Sequence, residues 1–166
     1  MKKKRIRGVA LSANEVKIMV FGVLDEPGIV GAIFRPLASA DIDVSMIVQD
    51  LSRTRKDNEG NSCSNVTFTV DIGDKDLTLK LLNDAKDEIG YQEIEADEDV
   101  VRVSVIGMNM EKNTGMAQIM FDALGKEGIN IQAISTSEVK ISVLVANSSA
   151  ERAVRALHSA YILEAK

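Results

Sequence analysis

The feature that most limits how this chain can fold is an internal repeat. Gly28, Phe34, Leu37, Ile42, Val44 and Ile47 recur 87 positions on as Gly115, Phe121, Leu124, Ile129, Ile131 and Ile134. Ahead of the turn the offset is 85, taking Val20 to Val105 and Gly22 to Gly107, so the second copy carries a turn two residues longer. A period of this length exceeds solenoid units and fits a duplicated small domain. The 166 residues therefore divide into two small domains rather than one.

Each copy opens in the same way. Val16–Val23 is apolar and β-branched, as a buried strand requires. Asp25-Glu26-Pro27-Gly28 follows as a tight turn, with Pro27 suited to a first helical turn and Gly28 open to close approach. A helix is expected over 28–39, then an edge strand over 44–49 with Val44, Met46 and Val48 on one face. Residues 53–64 read as a mobile polar loop holding the single Cys63. A strand over 66–70, a helix capped by Asp74 and running to about Ile89, and a strand over 92–96 complete a βαββαβ unit. The second copy reads as strand 100–107, helix 114–126, strands 130–136 and 139–145, and helix 148–159. It lacks a last strand, whereas a spare strand, Ile6–Leu11, precedes the first copy. That spare strand is expected to complete the second sheet, because an unfilled edge leaves a row of unpaired backbone groups. The expected fold is α+β: two ferredoxin-like βαββαβ sandwiches, one over 15–98 and one over 99–163 plus 5–12.

Several functions are disfavoured by what the chain contains. A net charge of −5 with 4% aromatic residues lacks the basic, stacking footprint of a nucleic-acid binder. Lys2-Lys3-Lys4-Arg5 is the one basic run and reads as a solvated tail; no segment is long enough to span a membrane. One Cys and one His supply no metal cluster, no Ser/His/Asp constellation and no catalytic residue, and one unpaired Cys suits a cytoplasmic setting. No cofactor motif is present. An acylphosphatase-like enzyme shares this fold, but the turn Leu24-Asp25-Glu26-Pro27 is acidic and would repel phosphate.

A binding turn remains. Asp25 sits beside the expected helix start at Gly28-Ile29-Val30, and Gln49 lies near the end of the edge strand. Helix N–H groups suit a carboxylate and Asp25 suits an ammonium, so the pair suits a free amino acid; an ordinary helix-start turn would use the same residues.

Two longer patterns carry a family resemblance. Asp25-x-Pro27-Gly28, Ile33-Phe34-x-x-Leu37-Ala38 and Ile42-Asp43-Val44-Ser45-Met46-Ile47-Val48-Gln49 resemble the first ACT domain of aspartate kinases. Val103-Ser104-Val105-Ile106-Gly107, Gly115-Met116-Ala117 and Ile129 to Val143, with its Ile-Ser-Thr-Ser-Glu run, resemble the second. Ala156-Leu157-His158 also matches, and the resemblance extends over about Gly8 to Leu163.

The resemblance implies a regulatory region that binds threonine, lysine or both and restrains ATP-dependent phosphorylation of L-aspartate. It implies a homodimer joined through the ACT domains and a kinase catalytic domain or subunit as partner. The chain would begin where that catalytic domain ends, as a separate regulatory subunit or an excised fragment. Carried over by position, a first effector site would use Asp25, Pro27, Gly28, Ile29, Val30 and Gln49, with Asn130 and Ile131 from across a chain–chain interface. A second would use Asn113, Gly115, Met116, Ser137 and Glu138, with Val48 or Asp50 opposite. Thr114 stands where relatives usually have proline, and the loop 53–64 is longer than usual. The alternative is a free-standing ACT sensor acting on another partner.

Overall fold

The structure is a computed structural model that describes residues 6–50, 56–108, 110 and 114–163. The chain forms two compact units, one over 14–98 and the other combining the N-terminal strand with the residues from 99 onward. The basic run at 2–5 lies outside the described residues.

In the first unit, β2 (Glu15–Leu24), α1 (Ile29–Ser39), β3 (Ser45–Asp50), β4 (Cys63–Asp71), α2 (Lys75–Asp84), α3 (Lys86–Ile89) and β5 (Glu93–Asp97) follow in order. The antiparallel sheet runs β3-β4-β2-β5. Alternation puts Val16, Ile18 and Val20 of β2 beside Val66, Phe68 and Val70 of β4, and Ile33, Leu37 and Leu82 of the helices close over them. The Phe34 ring meets Phe68 edge-on at 5.0 Å.

The second unit contains β1 (Ile6–Ser12), β6 (Val100–Gly107), α4 (Thr114–Lys126), β7 (Ala133–Thr136), β8 (Lys140–Ala146) and α5 (Ala150–Leu163). Its sheet runs β1-β6-β8-β7, the same order with β1 in the place of the missing fourth strand. Val9 pairs with Val105 and Leu11 with Val103, so the strand at the chain's start covers the β6 edge as its spare position implied. Val103, Val105, Ile141 and Val143 pack on Met120, Leu124 and Leu157.

Several local expectations are corrected. The long helix to Ile89 breaks at Ala85, and Asp74 makes no side-chain cap; Asp71 instead accepts the Gly73 N–H at 2.8 Å in a short turn before α2. Strand β4 begins at Cys63 rather than Val66, so Cys63 is buried and not in a loop. Its first polar residues hid the strand from a hydrophobic pattern, yet Asn65 is buried because its Oδ1 accepts the Gly22 N–H at 3.2 Å. On β3 the alternation fails: Met46 is buried, but Ile47 and Val48 are both exposed. Met46 has φ 51°, and the β3–β4 register slips between Ser45 and Val48. One extra residue in the bulge turns Val48 to the face opposite the helices. Strand β7 starts at Ala133, leaving Asn130 and Ile131 in the connection before it.

Candidate functional site

The first turn is built from three directions. Strand β2 delivers Asp25, whose backbone N–H donates to the Ser62 carbonyl at 3.0 Å. Gly28 then adopts φ 92°, a left-handed conformation that favours glycine, and forms the N-cap of α1. A Cβ at Gly28 would meet nothing within 4 Å, so the glycine serves the backbone angle rather than a close approach. Pro27 consequently precedes the cap instead of opening the helix.

The cap leaves the helix start available. The Ile29 N–H reaches the Glu26 carbonyl at 3.3 Å, and the first intrahelical bond is Ala32 N–H to Gly28 at 3.1 Å. Among the described residues no side chain caps α1, and no acidic residue lies in its first turn, so the amides of Val30 and Gly31 stand at the positive end of the helix dipole without an intrahelical partner. Asp25 is exposed at the same turn, while Ile29 and Val30 are half-buried. Gln49 approaches from the edge strand and donates its amide to Ser64 Oγ at 3.3 Å. Asp25 and Gln49 are therefore both attached to the opening residues of β4. An exposed carboxylate, free helix amides and a carboxamide around one strand end can accept an ammonium and donate to a carboxylate.

Sequence reasoning passed over Ser62 and Ser64 as loop residues. The available signal was a polar stretch, Ser62-Cys63-Ser64-Asn65, running straight into the alternating strand. Ahead of it, residues 57–61 form a hydrogen-bonded turn closed by a bridge between Lys56 and Ser62. Residues 51–55 lie outside the described set.

The second unit repeats the pinning. The Met110 N–H donates to the Glu138 carbonyl at 2.8 Å and the Gly107 N–H to Val139 at 2.8 Å, so the turn after β6 meets the β7–β8 turn. Ser137 closes that turn through its N–H to the Lys140 carbonyl at 2.8 Å. Gly115 is half-buried at the start of α4, and Glu138 is exposed. Met116 is 2% exposed, and its carbonyl accepts the Tyr161 hydroxyl at 2.6 Å, so its side chain belongs to the core. Asn113 lies outside the described residues. Asn130 is exposed and Ile131 packs partly on the second core. Among the described residues, no group of three metal-ligating side chains occurs and no helix is long and apolar enough to cross a membrane.

Comparison with known proteins matches this architecture. Family models described as ACT domains match residues 17–90 and 103–161. An aspartate kinase of Pseudomonas fluorescens is 40% identical over 165 residues, 99% of this chain but 38% of the relative. The chain thus spans well under half of the curated relatives it resembles. The regulatory subunit of aspartate kinase from Thermus thermophilus, in its ligand-free form, is 34% identical with a TM-score of 0.87, covering 95% of this chain and 99% of that one. E. coli aspartokinase III, solved in complex with lysine and aspartate in its T-state, is 25% identical with a TM-score of 0.69, covering 96% of this chain and 34% of that one.

Proposed function

The chain belongs to the regulatory ACT regions of aspartate kinases, and from that premise we propose that it is the amino-acid sensor that restrains such a kinase. The observation that carries this reading is the first turn, where the Asp25 backbone and the Gln49 side chain are both tied to the opening of β4 and the start of α1 follows Asp25 directly. Asp25 takes the effector's ammonium. The free amides of Val30 and Gly31, presented by the Pro27-Gly28-Ile29 turn, take its carboxylate, and Gln49 reads its side chain. Asn130 and Ile131 of a second copy close the pocket, which makes binding and dimerisation one equilibrium. A second, analogous site uses Asn113, Gly115, Met116, Ser137 and Glu138, with Met116 contributing backbone only.

The effector is lysine, threonine or both. The lysine complex of E. coli aspartokinase III supports the first; the family resemblance supports both. The dimer is expected to form through the sheet edges. Ile47, Val48, Ile134 and Val139 are large apolar residues, 54%, 40%, 46% and 54% exposed, on or beside edge strands β3 and β7. The partner is an aspartate kinase catalytic domain or subunit, in the cytoplasm, in keeping with a chain that spans 38% of its kinase relative. A coupling of roughly 1–3 kcal/mol between effector and kinase states is typical of allosteric control.

Isothermal titration with threonine and with lysine, paired with sedimentation, tests this. At least one of them is expected to bind saturably, raise the melting temperature and favour the dimer; Asp25→Ala weakens that binding while the fold persists. Saturating threonine and lysine that leave melting and dimerisation unchanged would overturn the sensor reading. Unaltered affinity in Asp25→Ala removes Asp25 from the site.

A further inference from the structure

The turn at residues 57–61 is organised by one side chain. Asp57 Oδ1 accepts the N–H of Glu59 at 2.9 Å and of Asn61 at 2.8 Å, and Oδ2 accepts the Asn61 amide at 2.8 Å. The backbone adds Asp57 N–H to the Asn61 carbonyl at 3.0 Å and Gly60 N–H to the Asp57 carbonyl at 3.1 Å, with Gly60 at φ 89°. These bonds from Asn61 hold the Asp57 carboxyl below the ordinary carboxylate range.

What this turn delivers is the start of β4. Directly after it, the Ser62 carbonyl holds the Asp25 N–H, and two residues later Ser64 Oγ holds the Gln49 amide. Cys63 between them is buried, and its thiol reaches back to the Asn61 carbonyl at 3.7 Å. The Asp25 backbone and the Gln49 side chain of the proposed first site are thus both bonded to one three-residue segment, and the Asp57 turn leads directly into it.

We propose that Asp57 is a positioning residue for the first effector site, acting through the Ser62–Ser64 segment that anchors Asp25 and Gln49. The proposal rests on the amino-acid-sensor reading. Asp57 lies in an exposed turn outside both hydrophobic cores, so its loss is felt locally. Without its carboxylate the turn samples other conformations, the strand start loosens, and Asp25 and Gln49 lose their fixed separation. An effector then has to order them on binding.

The test uses the full 166-residue chain and its Asp57→Ala and Asp57→Asn variants. Threonine and lysine are titrated calorimetrically, and hydrogen exchange at the Asp25 amide is measured without ligand. Asp57→Ala is expected to bind about fivefold to tenfold more weakly, the scale of one net hydrogen bond. Its melting temperature should stay unchanged while the Asp25 amide exchanges faster. Asp57→Asn keeps an acceptor oxygen for the two backbone amides and should recover most of the affinity. Asp57→Ala binding as tightly as the native chain overturns the proposal and leaves the sensor reading standing. Equal weakening in both variants with unchanged Asp25 exchange also overturns it, since the effect then comes from lost charge. A native chain that binds neither amino acid overturns the sensor reading and this proposal with it.

Discussion

Gly28 and Gly31 are three residues apart at the same helix start, and the same substitution should move stability in opposite directions. Gly28 sits at φ 92° and ψ −14°, where an L side chain costs roughly 1–2 kcal/mol. Gly31 lies inside α1, where alanine is favoured over glycine by about 0.5–1 kcal/mol. An added Cβ meets nothing within 4 Å at either position, so no clash confuses the comparison. Gly28→Ala should therefore destabilise the first unit and Gly31→Ala stabilise it, a gap of about 1.5–3 kcal/mol between the variants. The assay is urea unfolding without effector, read by hydrogen exchange at the Ile18 and Val20 amides of β2, which report on this unit alone. Two variants shifted in the same direction, or a neutral Gly28→Ala, would refute the left-handed cap and with it the geometry that frees the first helical amides.

Four further outcomes follow from the cores and edges. The Ser104 and Ser142 hydroxyls are buried 2.7 Å apart, so Ser104→Ala should cost about 1–2 kcal/mol and the double alanine variant less than the two single costs together, as a double-mutant cycle in urea would measure. Among the described residues the buried Thr78 Oγ1 has no hydrogen-bond partner; Thr78→Val should be neutral or stabilising by up to about 1 kcal/mol in the same assay. Burial raises the Tyr91 phenol above its ordinary 10.0. The unfolded chain therefore releases that proton first as pH climbs past 10, stability falls from there up to the folded-state pKa, and Tyr91→Phe should flatten the decline in alkaline melting curves. Removing residues 1–12 strips β1 from β6, so the second unit should lose amide protection and self-associate while β2 and β4 keep theirs.

The duplicated architecture was legible because it rests on apolar periodicity and on a count of strands. The six recurring apolar and glycine positions gave the repeat, and the spare strand before Val16 had one unfilled edge to occupy. Features set by backbone angles were not legible. Nothing in Ser45-Met46-Ile47 announces a left-handed methionine, because tertiary pairing with β4 imposes it. That bulge is why Val48 does not share the inward face of Val44 and Met46. Gly28 was recognised as significant, but for close approach rather than for its positive φ. The start of β4 was missed because Ser64 and Asn65 are polar; they are buried in partnership with Gln49 and Gly22, which no single-strand pattern contains. Asp25 and Gln49 stand out from the turn chemistry and the edge strand, but their common attachment to Ser62–Ser64 is a property of the fold.

In the proposed sensor a free amino acid is held at the β2–α1 turn, in a pocket that a second copy completes. The most direct measurement is residue-resolved chemical-shift mapping of the chain during titration with lysine and then threonine. Saturable shifts are expected at Asp25, Ile29, Val30 and Gln49, with matching changes at Asn130 and Ile131, all at one dissociation constant. Shifts that avoid the turn, or spectra unmoved at saturating concentrations of both amino acids, would contradict it.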